Sequence, residues 1–169
     1  MKTVAVLVEE LYQVLEVWYP ILRLKESGIA TKTIGTGSKK TYGSKEGYPC
    51  NADMSIDEAD PKDFAGVIIP GGFAPDFLRR YPKMVDFVKT MNKQKKVVAS
   101  ICHGGWMLVS ADILHGRKAT SFFAIKADVV AAGAKFVDEE VVVDGNLITS
   151  RKPEDLPAFK VEIIKELKG

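Results

Sequence analysis

Cysteine and histidine are scarce in this chain, with two of each among 169 residues. Two cysteines are too few for a disulfide-stapled scaffold, and they make a cytoplasmic location the default expectation. Hydrophobic residues make up 46% and charged residues 27%, which is typical of a globular protein and not of a disordered chain. The length predicts one domain, residues 1–169, that can bury a full core without staples.

The chain also lacks an excess of charge of one sign and any long apolar run. Its 24 basic and 22 acidic residues leave a net charge of +2, too small for a counterion-driven nucleic-acid binder. The N-terminal apolar run Thr3–Val8 is too short for a signal peptide or a membrane span. Cys50 and Cys102 are far apart and form no CxxC pair. We therefore expect no nucleic-acid partner, no membrane partner, no metal and no cofactor.

Short apolar runs alternate with helical patterns from one end of the chain to the other. The predicted strands are Thr3–Val8, Ala30–Thr36, Val67–Ile69 and Val97–Ile101, with an edge strand over Tyr48–Asp53 and a hairpin of Val141–Val143 with Leu147–Ser150. The predicted helices run from Val14 to Gly28, over Met84–Met91, from about His103, over Ile125–Ala132 and along the stripe Phe159, Ile163, Ile164 and Leu167. This order predicts a doubly wound α/β domain with a mainly parallel sheet covered on both faces. Ligands of such sheets bind outside the carboxyl ends of the strands.

The most informative strand end is Ser100-Ile101-Cys102-His103-Gly104. A small residue two positions before a cysteine and a glycine two positions after it give the spacing of a nucleophile elbow. The N-terminus of the following helix would favour a thiolate, and the adjacent His103 can approach the sulfur at such a turn. Cys102 is therefore the predicted nucleophile, whereas Cys50 is interpreted as inert.

Two further strand ends carry candidate site residues. Pro70-Gly71-Gly72 can direct backbone N–H groups at an oxyanion, and Asp76 is either the N-cap of a helix over Phe77–Arg80 or a partner of His103. Glu16 lies in the first helix, where a solvated glutamate is the simpler interpretation from the residues alone. The lysines at 39, 40 and 45 are interpreted as a solvated loop.

Together these motifs resemble the PfpI/ThiJ superfamily, and within it the PfpI intracellular protease/deglycase branch. The resemblance covers nearly the whole chain and also includes Gly116-Arg117-Lys118-x-Thr120-Ser121 and the Val141–Asn146 hairpin. It implies a flavodoxin-like three-layer α/β sandwich and a homo-oligomer, either a dimer or a ring of three dimers.

The resemblance also implies roles for individual residues. Cys102 would be the nucleophile, Glu16 the carboxyl that hydrogen-bonds its sulfur, and the backbone N–H groups of Gly72 and His103 the oxyanion hole. Asp76 matches the carboxylate that orients the histidine from a neighbouring subunit. The chain departs from the family pattern in having Asp for Glu at this position.

Two other departures alter the surroundings of the nucleophile. Gly105 followed by Trp106 replaces the usual proline, and Phe122 stands where an aromatic hydroxyl is common. Trp106 and Phe122 are therefore candidate pocket residues.

These residues predict a cysteine-dependent hydrolase, with two substrate classes implied by the resemblance. The first is α-oxoaldehydes or their adducts on protein side chains, which need a thiolate, a carboxyl and a small pocket. The second is peptides, whose amine leaving group also needs a general acid and so depends on His103 and Asp76. The departures from the family pattern weaken the pairing of His103 with Asp76. We therefore rank glyoxalase or deglycase chemistry first. A non-enzymatic stress-response protein with an oxidisable Cys102 is the third hypothesis.

Overall fold

A computed structural model describes residues 2–169 and contains one large sheet with helices on both faces. The strands are β1 Thr3–Leu7, β2 Ala30–Gly35, β3 Thr41–Gly43, β4 Pro49–Asn51, β5 Met54–Ser55, β6 Gly66–Ile69, β7 Val97–Ile101, β8 Lys118–Ala119, β9 Lys135–Phe136, β10 Val142–Asp144 and β11 Leu147–Ser150. The helices are α1 Val14–Glu26, α2 Ala74–Leu78, α3 Pro82–Lys93, α4 Gly105–Ser110, α5 Lys126–Ala131 and α6 Leu156–Lys168. Four short 3₁₀ turns connect some of them, at Pro61–Asp63, Cys102–Gly104, Phe123–Ile125 and Pro153–Asp155.

The main sheet has seven strands in the order β10-β11-β7-β6-β1-β2-β5. All neighbouring strands are parallel except the β10–β11 hairpin. Strands β6, β7 and β11 are buried along their whole length, as expected for strands covered on both faces. This confirms the predicted flavodoxin-like α/β arrangement.

The strand Val97–Ile101 has the predicted bounds, and the short edge strand expected within Tyr48–Asp53 is present as β4, although it does not belong to the main sheet. Part of that segment, β4, pairs with β3 in a separate two-stranded sheet, and the edge of the main sheet is β5. The apolar pattern of residues 48–53 indicated an extended strand but contained no information about its partner.

Helix α1 ends as its sequence predicts. Gly28 has φ of +74°, and its N–H donates to the carbonyl of Lys25 at 3.0 Å. Across residues 2–169, no helix has both the length and the apolarity needed to cross a bilayer.

The sheet brings the carboxyl ends of β1, β6 and β7 to one edge. Those strands lie side by side in parallel, so the segments following Leu7, Ile69 and Ile101 emerge together. The candidate site residues belong to these three segments and to α1, except for Phe122, which follows β8.

Candidate active site around Cys102

Cys102 lies on a strained turn directly after β7. Its φ is +60°, a conformation that costs a non-glycine residue energy and that marks nucleophile elbows. The turn requires glycine at position 104, because a Cβ there would lie 2.6 Å from the carbonyl oxygen of Ile69 and 2.8 Å from Oγ of Ser100. The geometry of the elbow predicted from the sequence is therefore present.

The Gly71-Gly72 turn after β6 lies against the elbow. A Cβ at Gly71 would be 2.8 Å from Cβ of Cys102, and Gly72 has φ of +76°. Backbone hydrogen bonds fix this turn to the segment before α1, with the N–H of Phe73 donating to Leu11 at 2.8 Å. The backbone N–H groups of Gly72 and His103 both hydrogen-bond to Cys102 and lower its pKa. These are the two N–H groups expected to form an oxyanion hole.

Glu16 lies in the first turn of α1 and is completely buried, with 0% of its surface exposed. The helix starts here because the side chain of Gln13 accepts a hydrogen bond from the Glu16 N–H at 2.9 Å and caps the helix. The Glu16 carboxyl turns inward, and its Oε2 accepts a hydrogen bond from the N–H of Gly71 at 2.6 Å. Glu16 is thus a buried residue of the site and not the solvated glutamate that its helical position alone suggested.

The ionisation of Glu16 is coupled to that of Cys102. Burial raises the pKa of Glu16 to about 8, against the opposing effects of the Gly71 N–H and the Cys102 thiol. Burial and then the negative charge of Glu16 raise the pKa of Cys102 to about 12. At neutral pH the carboxyl of Glu16 is therefore protonated, which removes its repulsion of a thiolate and provides an O–H donor beside the sulfur.

The backbone N–H of His103, in the turn that leads into the helix, lowers the pKa of Cys102 in the expected direction, but the pKa as a whole is raised. Cys102 is only 9% exposed, and the burial of its side chain outweighs the favourable backbone groups. The following helix, α4, has only six residues and is separated from the cysteine by the turn Cys102–Gly104. A thiolate at Cys102 therefore needs a further hydrogen-bond donor beside it. Glu16 can provide one through Oε1, which is buried without a hydrogen-bond partner within residues 2–169.

His103 contacts the nucleophile directly. Its Nδ1 lies 3.5 Å from Sγ of Cys102, as expected for a side chain at an elbow. Burial, and to a smaller degree the ammonium of Lys45, lower the pKa of His103, so the imidazole is neutral at pH 7. Phe122 and Trp106 both pack against this histidine, with ring centroids 5.0 and 5.3 Å from the imidazole. Both predicted pocket residues are thus brought to the site.

Asp76 makes neither of the contacts within the chain that its sequence suggested. Helix α2 begins at Ala74 with Phe73 at the N-cap, so the prediction that Asp76 caps a helix over Phe77–Arg80 is wrong. The carboxylate of Asp76 instead forms an ion pair with Arg80, one turn further along the chain. Proline at N2 of the helix sets this earlier start.

The structure also places residues near the site that sequence reasoning missed. Lys45, interpreted as part of a solvated loop, lowers the pKa of both Glu16 and His103 through its charge. Its backbone N–H donates to Tyr12 at 2.9 Å, which fixes the loop beside the start of α1. No local pattern predicts this contact, because it arises from the pairing of two distant segments. Cys50 lies buried in β4, and its thiol donates only to the backbone carbonyl of Asn51 at 3.8 Å within the described part of the chain, away from Glu16 and His103.

Comparison with known proteins assigns this arrangement to a family. Residues 2–166 match the DJ-1/PfpI family. The chain is 45% identical over 157 residues to a deglycase of Thermococcus kodakarensis, covering 93% of this chain and 94% of that protein. It is 40% identical over 168 residues to the protein/nucleic acid deglycase 2 of Escherichia coli, covering 98% of each.

A solved structure from Anabaena variabilis has the same fold. That two-domain protein contains a DJ-1/ThiJ/PfpI-like and a ferritin-like domain. The similarity reaches a TM-score of 0.97 at 42% identity, covers 99% of this chain and spans about half, 48%, of the other. The elbow cysteine, the buried glutamate and the sequence match together show that the chain belongs to the DJ-1/PfpI family.

Proposed function

We propose that this protein is a cysteine-dependent hydrolase that converts α-oxoaldehydes, or their early adducts on protein side chains, into hydroxy acids. The main support for this proposal is the buried pair formed by Cys102 and Glu16. Burial keeps the carboxyl protonated at neutral pH, beside a thiol that already has two backbone N–H donors. The deglycase relatives from Thermococcus kodakarensis and Escherichia coli support the same substrate class.

The proposed reaction with methylglyoxal needs no external oxidant. The sulfur of Cys102 attacks the aldehyde carbon, a C–S bond forms, and the carbonyl oxygen takes a proton from Glu16. The N–H groups of Gly72 and His103 stabilise the charge that develops on this oxygen. The thiol proton, released as the thiolate forms, leaves to solvent.

The resulting hemithioacetal then rearranges. The ionised Glu16 removes the proton from the former aldehyde carbon and returns it to the neighbouring carbonyl carbon. The hydroxyl proton of the former aldehyde carbon passes to the neighbouring carbonyl oxygen at the same time. One carbon is thereby oxidised to a thioester as the other is reduced to an alcohol. Water hydrolyses the thioester to lactic acid and restores the thiol. The proton released to solvent in the first step returns to Glu16, and lactic acid ionises, so methylglyoxal and water give lactate and one proton overall.

Peptide hydrolysis is the second hypothesis, and the arrangement within one chain favours it less. An amine leaving group requires a protonated general acid, whereas burial keeps His103 neutral and Asp76 is paired with Arg80. A homo-oligomer that brings Asp76 to His103 of a neighbouring subunit remains part of this hypothesis. The redox-sensor hypothesis needs an accessible, readily ionised thiol, and the burial of Cys102 weighs against it.

Parallel assays with methylglyoxal and with a fluorogenic peptide test the proposal. We expect stoichiometric formation of lactate, measured by an enzymatic or chromatographic assay, and little peptide cleavage. Peptide cleavage without lactate would transfer the protein to the peptidase class. Inactivity in both assays, combined with rapid oxidation of Cys102 by peroxide, would support the sensor hypothesis.

A further inference from the structure

The imidazole of His103 is oriented by aromatic rings and not by a carboxylate of its own chain. The Phe122 ring is inclined by 33° to the imidazole, at a centroid distance of 5.0 Å. The Trp106 ring meets it edge to face, at 5.3 Å and 70°. Within residues 2–169, the only hydrogen-bond contact of the imidazole is Nδ1 to the sulfur of Cys102. Rotation of the imidazole away from the sulfur is therefore opposed by the two neighbouring rings.

Trp106 is in turn fixed by two polar side chains on other elements. Its indole N–H donates to Oδ2 of Asp128 in α5 at 3.0 Å. The guanidinium of Arg79 lies over its ring at 5.4 Å, and Arg79 itself donates to Oγ of Ser110 at 2.9 Å. An indole with both its N–H and its face occupied has little freedom to change rotamer.

Phe122 is fixed by the backbone of the elbow. Its N–H donates to the carbonyl oxygen of Cys102 at 3.3 Å, and its ring packs against Phe123 at 4.6 Å. The two rings that hold His103 thus depend on different supports, Phe122 on the elbow itself and Trp106 on helix α5.

We propose that Trp106 is a positioning residue that holds His103 against Cys102, and that Asp128 and Arg79 act through Trp106. This inference deepens the proposed function, since it rests on His103 belonging to that active site. Asp128 is exposed on α5 and does not contact the imidazole, yet through Trp106 it affects the position of His103.

Nuclear magnetic resonance of the histidine side chains tests the inference without requiring turnover. The chain has two histidines, so His115 is an internal reference for every spectrum of His103. The variants are Asp128→Ala, which removes the acceptor, Asp128→Asn, which retains an acceptor oxygen, and Trp106→Phe, which retains a ring without the N–H. Asp86→Ala, at another exposed helical aspartate that makes no ion pair within residues 2–169, is the matched control.

We expect Asp128→Ala and Trp106→Phe to shift the His103 ring resonances and its titration midpoint, with His115 unchanged. The rate at which iodoacetamide alkylates Cys102 at neutral pH should change about twofold or more in the same two variants. Asp128→Asn should restore the wild-type spectrum and rate, and Asp86→Ala should match wild type.

Two results would overturn the inference. The first is a wild-type His103 spectrum and alkylation rate in Asp128→Ala and Trp106→Phe. The second is an equal change in Asp128→Asn and Asp128→Ala, which would assign the effect to the charge of Asp128 and not to its hydrogen bond. Neither result depends on the substrate, so the proposed function is judged separately by lactate formation.

Discussion

The carboxyl of Glu16 accepts a hydrogen bond from the backbone N–H of Gly71 at 2.6 Å, although the two residues are 55 positions apart. This contact joins α1 to the turn after β6 and fixes the carboxyl beside Cys102. A Cβ at position 71 would lie 2.7 Å from that carboxyl oxygen and 2.8 Å from Cβ of Cys102. The absence of a side chain at Gly71 is thus a requirement of the site.

Gly71→Ala should separate Glu16 from Cys102. Because both close contacts of the added methyl group are with site residues, we expect methylglyoxal turnover to fall by about 100-fold or more. Overpacking should cost about 1–3 kcal/mol of unfolding free energy, measured by urea denaturation. Gly28→Ala is a useful control, since a Cβ there meets nothing within 4 Å, and its positive φ of +74° imposes backbone strain at the opposite end of α1 from Glu16. Equal turnover in Gly71→Ala and wild type would contradict the close packing described.

Glu16→Gln tests whether turnover needs the acidic proton of Glu16, because glutamine keeps the size and shape of the side chain. The amide can still accept the Gly71 hydrogen bond, but it has no proton to transfer, so we expect turnover to fall by about 100-fold or more while the fold is retained. A glutamine that supports wild-type turnover would exclude Glu16 as the proton donor.

The same variant should change how stability depends on pH. The pKa of Glu16 is raised from 4.5 to about 8 in the folded state, so the folded protein binds the extra proton in that interval. The stabilising contribution of this proton is complete below pH 4.5 and is lost as pH rises towards about 8. Urea denaturation of wild type and Glu16→Gln measures this effect. The unfolding free energy of the wild type, relative to that of Glu16→Gln, should fall as the pH rises across this interval. A difference independent of pH would mean that Glu16 ionises normally.

Lys160 offers a second pH-dependent test, remote from the chemistry. It lies in α6, only 1% exposed, and its ammonium nitrogen has no hydrogen-bond partner in the described part of the chain. Burial, with a contribution from the charge of Arg23, lowers its pKa from 10.5 to about 7. The unfolded chain therefore binds the extra proton between those two values, so stability should rise with pH across that range.

Lys160→Met should remove that slope. It should stabilise the protein at neutral pH by about 2–4 kcal/mol, because the variant leaves no amine to desolvate. Lys168→Met, an exposed position of the same helix, is the control and should change stability little. Destabilisation by Lys160→Met, measured by urea denaturation at neutral pH, would show that Lys160 has a favourable partner in the folded state.

Lys45→Met should raise the pKa of both Glu16 and His103, because the charge of Lys45 lowers each of them. Histidine titration by nuclear magnetic resonance measures the second effect directly, again with His115 as reference. The difference between variant and wild type should shrink as salt is added, since the side chain of Lys45 is half exposed. An unchanged midpoint at low salt would place Lys45 outside the site.

Much of this fold was predictable because its strands are buried on both faces. Apolar runs such as Val97–Ile101 are specified by burial alone, and the elbow at Cys102 follows from small residues at fixed spacing. The role of Glu16 was not predictable from its helix, since its burial depends on the turn at Gly71. The contacts of Trp106 and Lys45 likewise depend on elements distant in sequence, which local patterns do not encode.

Steady-state turnover of methylglyoxal by Cys102→Ala and Cys50→Ala decides whether Cys102 is the nucleophile. Both cysteines are buried, but only Cys102 lies beside Glu16 and the N–H groups of Gly72 and His103. We expect Cys102→Ala to abolish lactate formation and Cys50→Ala to retain most of it, with both variants folded as judged by circular dichroism. Lactate formation at the wild-type rate in Cys102→Ala would contradict this role of Cys102.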